Sequence, residues 1–293
     1  MKAYIVPNLD KTNCEEYTRE TCRILLGCGI EPLMGKNLAE IFGSEAGVSF
    51  LSREDCLELC DIMIAVGGDG TILKCARSAA EHRKPVLGIN CGRLGFMASL
   101  EHSQLGLLKR LSEDSFTLSR RMMIEALVKD KDGNEVNHRA LNDIVISRAD
   151  DCKIADFEVL KEDRRVSYLR ANGVIFSTAT GATAYSMSAG GPLIEPEMEC
   201  IEFTQICPHS LFARSMIFSA DSRLRVRVHI SGGAHVCLNV DGNDVHRLCD
   251  GEEVEIVRSG SYIDIIDICG GSFFSSVNGK LMRPLKAPAE DQR

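Results

Sequence analysis

Apolar runs and helical periodicity alternate through the first third of the chain. Residues 62–66 and 85–89 are continuous apolar runs, as expected for strands that are buried on both faces. Between them, apolar residues from Ile72 to Ala79 recur at helical spacing. A strand, a helix and a strand joined by short links predict a parallel, Rossmann-like α/β sheet.

The same alternation begins near the N-terminus. Residues 3–6 form a short apolar run that Pro7 stops. Asn13 and Glu16 have the spacing of a capping box, and the helical periodicity behind them ends at Gly27. Residues 104–111 predict a further helix.

Beyond about residue 116 the period shortens to two, which is typical of antiparallel strands. Residues 122–128 and 140–147 predict one hairpin, and residues 154–160 with 166–169 predict a second. Further strand patterns cover residues 223–230, 236–240, 253–257 and 262–268. One helical insert is expected at residues 183–189.

These patterns divide the chain into three parts. Residues 1–115 are predicted to form the α/β domain, and residues 116–270 an antiparallel all-β domain. Residues 271–293 include an apolar stretch at 273–282, which we expect to return to the first domain as a helix.

The composition fits a folded protein that acts on small molecules. Of the 293 residues, 44% are hydrophobic and 26% are charged, which excludes a disordered, collagenous or coiled-coil chain. The net charge of −8 makes the chain a poor nucleic-acid binder, because phosphate neutralisation needs clustered cations. Backbone N–H groups can still bind a phosphorylated small molecule locally.

Cysteine usage and the N-terminus predict a cytoplasmic protein with no membrane association. Thirteen cysteines without a C-x-x-C pair indicate reduced, mostly buried thiols rather than a disulfide framework. His229, His235 and Cys237 lack the paired spacing of a structural zinc site. Neither a signal peptide nor an apolar stretch of membrane-spanning length is expected.

The strongest chemical signal follows the first buried strand directly. Gly67, Gly68, Asp69, Gly70 and Thr71 join that strand to the next helix. The glycines let a ligand approach the backbone, and the helix N-terminus offers free N–H groups and a partial positive charge. This combination predicts a phosphate site at the carboxyl edge of the sheet. A carboxylate there would repel phosphate, so Asp69 is expected to contact a hydroxyl or a metal, unless it is a solvated turn residue.

The loop after the second buried strand, residues 90–96, leaves the same sheet edge if the crossover is right-handed. Arg93 can reach a phosphate from there, and Phe96 can stack on a ring. A tight turn with a core phenylalanine explains the same residues equally well.

Two polar residues interrupt an apolar strand at Asn142 and Asp143. Asparagine can pair with the adenine edge, and a carboxylate can accept from both hydroxyls of a ribose. An ordinary edge or bulge pair is the alternative. Asp241 and Gly242, between two strand patterns, read mainly as a hairpin turn.

Residues 177–185 are rich in hydroxyl side chains and lead into the predicted helical insert. A helix N-terminus with such donors suits phosphate, ribose or amide groups, and Tyr185 can stack on a nucleobase. A capping segment rich in serine and threonine is the structural alternative.

Taken together, these motifs resemble those of the NAD kinase family, of the bacterial type. The resemblance rests on the Gly-Gly-Asp-Gly loop at 67–70, the loop at 90–96, the Asn142–Asp143 pair and the segment at 178–185, which Ser-Ala-Gly-Gly-Pro follows at 188–192. The stretch at 206–211 and Asp241–Gly242 are also similar. The motifs run in order from about residue 60 to 245, and as a set they are specific.

The resemblance implies a kinase that phosphorylates the adenosine ribose 2′-hydroxyl of NAD to give NADP. ATP, or polyphosphate in some members, is the implied donor, with a divalent metal, Mg²⁺, whose protein ligands we do not assign. Asp69 matches the proposed general base of the family. A pocket at the domain boundary and across a subunit interface implies a homo-oligomer, a dimer or a tetramer.

The residues matched to NAD binding are Gly70, Lys74, Phe96, Asn142, Asp143, Arg170, Asn172, Thr180, Thr183, Ala184, Tyr185 and Ser188. The residues matched to the donor phosphates are Gly67, Gly68, Thr71 and Arg93, and Asp241 is a weaker candidate.

Three departures from the family pattern affect four positions. Arg93 stands where histidine is usual, Ala179 and Ala182 replace proline and serine, and Asn172 stands where aspartate is usual. We expect altered substrate affinity rather than lost activity. Two alternatives are a lipid or sugar kinase that shares the glycine-rich loop, and a non-catalytic sensor that binds NAD.

Overall fold

The computed structural model describes residues 1–92, 95–98, 100–129, 133–149, 155–210, 212–230 and 235–270, with 273, 274, 277 and 279. In the first part of the chain the elements are β1 (Lys2–Pro7), α1 (Cys14–Gly27), β2 (Glu31–Gly35), α2 (Ala39–Phe42), β3 (Ser49–Leu51), α3 (Arg53–Leu59), β4 (Ile62–Gly67), α4 (Asp69–His82), β5 (Val86–Asn90) and β6 (Leu100–Glu101). A 3₁₀ helix at His102–Leu111 follows.

The second part of the chain consists almost entirely of strands. They are β7 (Thr117–Lys129), β8 (Glu135–Ala140), β9 (Asp143–Arg148), β10 (Ala155–Lys161), β11 (Arg164–Ala171), β12 (Gly173–Ser177), β13 (Cys200–Ile206), β14 (Met216–Ser219), β15 (Leu224–Ile230), β16 (Val236–Val240), β17 (Asn243–Leu248) and β18 (Glu253–Asp267). A short 3₁₀ turn at Gly181–Thr183 and helix α5 (Tyr185–Ser188) lie between β12 and β13.

The first five strands pair in parallel in the order β3–β2–β1–β4–β5, which matches the first five positions of the Rossmann order 3-2-1-4-5-6. Every residue of β4 and β5 is buried, because helices cover both faces of the sheet. One face packs against α1 and the 3₁₀ helix, and the other packs against α3 and α4. The predicted α/β fold of this region is therefore confirmed.

The strands that follow are antiparallel and enclose a second core. One sheet has the order β14–β13–β12–β9–β16–β17 among the described residues, and its neighbouring strands pair antiparallel. The other strands, β7, β8, β10, β11, β15 and β18, pack against it through apolar side chains. The prediction of an antiparallel β region is confirmed.

The long strand β18 connects the two regions. It pairs antiparallel with β7 along most of its length and parallel with β5 at Ile265 and Val86. The sequence predicts two strands here, at 253–257 and 262–268. The structure forms one, with a register irregularity between Arg258 and Tyr262, because both halves pair with the same neighbour.

Two local predictions were wrong. Asn13 precedes α1, but its φ of 64° is left-handed and its side chain makes no capping hydrogen bond, so the capping box does not form. The expected hairpin of 122–128 with 140–147 is also divided. β7 pairs with β8, and the chain then bends at Leu141 and Asn142 to start β9 in the other sheet. The hairpin of β10 and β11 forms as expected.

The expectation for the C-terminal segment is only partly covered by the described residues. The return of the C-terminal segment concerns residues that are largely not described, although Phe273 and Phe274 line a cavity together with Phe96 and Glu101. No helix among the described residues combines the length and the apolar character that crossing a bilayer requires.

Candidate active site

The glycine-rich loop makes a sharp turn between β4 and α4. Gly67 and Gly68 have φ angles of 155° and 134°, which residues with a Cβ atom rarely adopt. A Cβ at Gly67 would also collide with Thr71 Oγ1. The two glycines therefore allow α4 to begin at Asp69, directly at the carboxyl edge of the sheet, with its N-terminal N–H groups at that edge.

The carboxylate of Asp69 binds the loop that follows β5. Its Oδ2 accepts a hydrogen bond from the Phe96 N–H at 2.6 Å, and its Oδ1 accepts from the Met97 and Ala98 N–H groups at 3.0 Å each. Gly95 is needed beside it, because a Cβ there would collide with the carboxylate. In this conformation Asp69 connects the first turn of α4 to the neighbouring loop.

A cavity of about 470 Å³ lies beside the first two turns of α4. Its volume is within the range of small-molecule sites, about 300–1,000 Å³. Its lining residues are Leu73, Asn142, Asp143, Val145, Ser147, Ala184, Tyr185, Asn239, Asp241 and Gly242. Leu73 is four residues after Asp69, so both lie on the same face of α4. The cavity is therefore one helical turn from the glycine-rich loop.

Asp241 fixes the bend that carries Asn142 and Asp143. Its Oδ2 accepts from the Leu141 N–H at 2.8 Å, and its Oδ1 accepts from the N–H groups of Asn142 at 2.8 Å and Asp143 at 3.1 Å. The Asp241 N–H donates to the Asp143 carbonyl at 3.0 Å. A chain that leaves one sheet and enters another has unpaired N–H groups, and this carboxylate satisfies three of them.

The two aspartates share an electrostatically unfavourable site. Burial, and secondly the charge of Asp241, raise the pKa of Asp143 to about 7. Burial also raises the pKa of Asp241, although its three backbone hydrogen bonds oppose that shift. Asp143 therefore holds its proton up to neutral pH unless a ligand supplies donors.

Three buried polar atoms, in the bend, in the hydroxyl-rich segment and in the first turn of α4, have no hydrogen-bond partner among the described residues. These atoms are Asn142 Oδ1, Thr180 Oγ1 and Thr71 Oγ1. Buried polar groups are normally paired. Unpaired atoms at the cavity and at the glycine-rich loop are therefore consistent with a polar ligand that bonds to them.

The hydroxyl-rich segment is anchored to the same bend. The Thr178 hydroxyl donates to the Leu141 carbonyl at 2.6 Å, and the Thr178 N–H donates to the Asn142 carbonyl at 2.9 Å. The Gly181 N–H in turn donates to Thr178 Oγ1 at 3.1 Å. Ala184 and Tyr185, which follow this anchored segment, line the cavity together with Asn142 and Asp143.

Comparison with known proteins identifies the family. The model of the ATP-NAD kinase N-terminal domain matches residues 4–116, and the model of the C-terminal domain matches residues 141–268. The chain belongs to the ATP-NAD kinase family. This confirms the resemblance inferred from its motifs.

Two curated relatives show the extent of the similarity. An NAD kinase of Acetivibrio thermocellus is 35% identical over 283 residues, which are 96% of this chain and 97% of that protein. An NAD kinase of Symbiobacterium thermophilum is 40% identical over 223 residues, which are 75% of this chain and 78% of that protein.

Solved structures share the fold. Yeast NADH kinase complexed with NADH has a TM-score of 0.86 at 24% identity, covering 99% of this chain and 89% of that one. An NAD kinase from Archaeoglobus fulgidus in complex with ATP has a TM-score of 0.72 at 23% identity, covering 96% of this chain and 99% of that one. Both ATP-NAD kinase domains of the chain thus adopt a known architecture.

Some residues matched to the family lie at the cavity and others do not. Asn142, Asp143, Ala184, Tyr185 and Asp241 line it. Five other matched residues lie on the chain close to these lining residues. Gly70 and Lys74 are exposed on α4, and Ser188 is exposed at the end of α5. Thr180 is buried before the 3₁₀ turn, and its carbonyl accepts a hydrogen bond from the Thr183 hydroxyl at 3.2 Å.

Three matched residues lie elsewhere, and a fourth is not described. The Phe96 side chain lines a different cavity of about 580 Å³, next to Arg121 and Phe273. Arg170 is exposed on β11 and forms a two-bond ion pair with Asp156, at 2.7 and 3.0 Å. Asn172 lies between β11 and β12, where its N–H donates to the Ile206 carbonyl at 3.0 Å. Arg93 is outside the described residues.

Sequence reasoning missed Leu73, Ser147 and Asn239, which also line the cavity. Leu73 was read only as a core residue of the helix. Asn239 and Ser147 carry a recognisable signal, because each is a polar residue close to the end of an apolar strand.

No group of three or more His, Cys, Asp or Glu side chains in the described part of the chain is placed to hold a metal ion. His229, His235 and Cys237 are among the residues covered by this statement. The described residues around the glycine-rich loop therefore do not form a metal-binding cage by themselves.

Proposed function

We propose that this chain transfers the γ-phosphoryl group of ATP to the adenosine ribose 2′-hydroxyl of NAD, giving NADP and ADP. The cavity beside α4 supports the proposal most strongly, because it sets Asn142, Asp143 and Tyr185 one helical turn from a glycine-rich loop. The proposed dinucleotide site and the proposed phosphate site are then adjacent in a chain of the ATP-NAD kinase family.

The adenosine half of NAD occupies this cavity in the proposal. Asn142 Oδ1, which is buried without a partner, accepts from the adenine amino group. The Asp143 carboxylate accepts from ribose hydroxyls, whose donors offset the cost of its burial. The Tyr185 ring, 45% exposed at the rim, stacks on the base.

ATP binds at the glycine-rich loop in the proposal. The N–H groups of the first turn of α4, Gly67 and Gly68 cradle the donor phosphates, since a helix N-terminus favours anions. The Thr71 hydroxyl, buried and unpartnered, is available to the same group. Arg93, outside the described residues, is proposed to reach a phosphate from the neighbouring loop.

Asp69 is the proposed base that takes the proton of the 2′-hydroxyl. The new bond forms between the ribose oxygen and the γ-phosphorus while the bond from that phosphorus to the β,γ-bridging oxygen breaks. In the described conformation the carboxylate accepts three backbone N–H groups. We propose that at least one of these bonds is exchanged for the hydroxyl when NAD binds.

A divalent metal, in our proposal Mg²⁺, is expected to enter with ATP. Mg²⁺ is commonly held by one or two carboxylates together with substrate phosphates rather than by a cage of protein ligands. The described residues, which hold no such cage, fit that mode. We assign the ion no protein ligand.

The proposal includes a homo-oligomer in the cytoplasm. Arg170 is exposed on β11 and lies outside the cavity lining. The family relation implies that it contacts NAD, which is possible if a second subunit brings it to the site. The twelve described cysteines are free thiols, which fits a reducing compartment.

Incubation of the purified protein with NAD, ATP and Mg²⁺ tests the function. The expected product is NADP, detected with an NADP-specific dehydrogenase and by mass. Binding of NAD without turnover would identify a sensor instead. Phosphorylation of a lipid or a sugar but not of NAD would identify the other alternative.

A further inference from the structure

A buried polar cluster contacts helix α5 through Ser186 and contains none of the cavity-lining residues. Glu202 of β13 is fully buried, and it pairs across the sheet with Ser177 of β12. Its Oε1 accepts a hydrogen bond from the Ser186 hydroxyl at 2.7 Å. Thr204 Oγ1 lies 2.8 Å from the same oxygen and 2.7 Å from Ser215 Oγ.

Burying a carboxyl group at this position costs folding free energy. Burial raises the pKa of Glu202, against the opposing effect of the Ser186 and Thr204 hydroxyls. The second oxygen, Oε2, is buried without a hydrogen-bond partner among the described residues. An apolar side chain would avoid both costs, so fold stability alone does not explain Glu202.

Helix α5 depends on such a contact for its position. It has four residues, far fewer than the ~12–15 that an isolated helix needs to be even marginally stable. Ser186 is its buried residue, whereas Tyr185 and Ser188 are exposed. Gly191 allows the chain to pass close behind, because a Cβ there would collide with Glu202 Oε1. The Ser186–Glu202 bond thus joins the helix to the sheet.

We propose that Glu202 is a positioning residue, which acts through Ser186 to hold Tyr185 against the dinucleotide cavity. Glu202 does not touch the substrate. Ser186 is the buried residue of α5, and the neighbouring Tyr185 lines the cavity. The Ser186–Glu202 bond therefore sets the affinity for the adenosine group but not the rate of phosphoryl transfer. The identity of the ligand rests on the proposed function, but the mechanical link does not.

The test compares two Ser→Ala variants at opposite ends of the cluster. Ser186→Ala removes the bond between helix and carboxylate, and Ser215→Ala removes only the distal contact with Thr204. We expect Ser186→Ala to raise the KM for NAD about tenfold, as for the loss of a hydrogen bond to a charged group, with kcat within about twofold. Ser215→Ala should leave both constants within about twofold.

A second pair of variants addresses the carboxylate. Glu202→Gln keeps an oxygen that accepts from Ser186, and Glu202→Met of similar length does not. Glu202→Gln should therefore bind NAD more tightly than Glu202→Met. Removal of the unpartnered atom Oε2 would favour the opposite order, because methionine has no polar group there whereas glutamine keeps one.

Amide hydrogen exchange of the ligand-free protein gives a readout that needs no activity. The Ala189 N–H donates to the Tyr185 carbonyl, and the Gly191 N–H donates to the Ser186 carbonyl. Both amides should exchange faster in Ser186→Ala than in Ser215→Ala. Unchanged exchange, an unchanged KM, or a loss confined to kcat would overturn the positioning role. If the wild type made no NADP, the proposed function would be wrong. Amide hydrogen exchange and calorimetry of NAD binding would still test the positioning role of Glu202.

Discussion

Asp69 and Asp241 accept the same set of hydrogen bonds in two different settings. Asp69 accepts from three successive N–H groups, those of Phe96, Met97 and Ala98. Asp241 accepts from three successive N–H groups at residues 141–143. In both cases a carboxylate satisfies a backbone segment that has left a regular strand.

The difference lies in what each carboxylate joins. Asp241 lies in the turn between β16 and β17, has a φ of 48°, and donates its own N–H back to Asp143, so it is fixed at both ends within one sheet. Asp69 joins the first turn of a helix to a loop outside regular structure. We infer that Asp241 is a permanent anchor and that Asp69 can exchange its amides for a substrate hydroxyl.

The largest expected effect is at Asp69. Asp69→Asn should lower turnover by about 10²-fold or more, the low end of general-base contributions, while calorimetry still detects NAD binding. Asp69→Glu is the companion variant, since it keeps the carboxylate but displaces it. Near-normal turnover in Asp69→Asn would leave Asp69 as an anchor like Asp241.

The second largest effect is expected for substitution of Asp143, and it concerns NAD binding rather than turnover. Asp143→Ala should weaken NAD binding by about 1.5–3 kcal/mol, as for the loss of a hydrogen bond to a charged group. Titration calorimetry measures this, with Asp244→Ala on β17 as an exposed control. Unchanged affinity would make Asp143 a structural residue of the bend.

Asp241 should affect stability. Asp241→Ala leaves three N–H groups without their acceptor and should destabilise the fold by about 1–3 kcal/mol. It should also lower the pKa of Asp143, because the neighbouring charge is removed. Urea unfolding and the pH profile of NAD binding measure the two effects. A variant with wild-type stability would show that Asp241 is not the anchor of the bend.

The pH dependence should be the smallest effect. With an Asp143 pKa of about 7, the ionised fraction rises from pH 6 to pH 8, so NAD binding should strengthen by up to about tenfold over that range. Asp143→Asn should remove most of this change. A flat profile in the wild type would mean that the carboxylate is not used in its ionised form.

The raised pKa of Asp143 also determines how the stability of the fold changes with pH in the absence of NAD. Because the pKa of Asp143 is raised on folding, the folded chain holds the proton more tightly than the unfolded chain. The associated stability is present below about pH 4 and is lost as the pH rises through about 7. Asp143→Asn should therefore stabilise the free protein at pH 8 relative to the wild type.

Local patterns predicted the parts of the site that depend on neighbouring residues. The apolar run of β4, the glycines and the periodicity of α4 lie within about twenty residues, and they were sufficient to place Asp69 at a helix N-terminus. Asn142 and Asp143 were also recognisable as candidate site residues, because two polar residues interrupt an apolar run, and both line the cavity.

Long-range contacts could not be predicted in this way. Asp241 reads as an ordinary hairpin turn, since its three acceptor contacts are with residues about a hundred positions away. The bend at Leu141 and Asn142 was missed for a related reason. Residues 140–147 read as one strand with a polar interruption at Asn142 and Asp143, and only pairing with β12 and β16 shows that β9 belongs to another sheet.

The central claim is that the adenosine ribose 2′-hydroxyl is the acceptor. The most direct measurement compares NAD with its 2′-deoxyadenosine analogue in one turnover assay with ATP and Mg²⁺. NAD should be converted to NADP, and the analogue should give no phosphorylated product, since sites built for a hydroxyl reject its absence by roughly 10⁴-fold or more. Phosphorylation of the analogue at a comparable rate would contradict the account, because another hydroxyl would then be the acceptor.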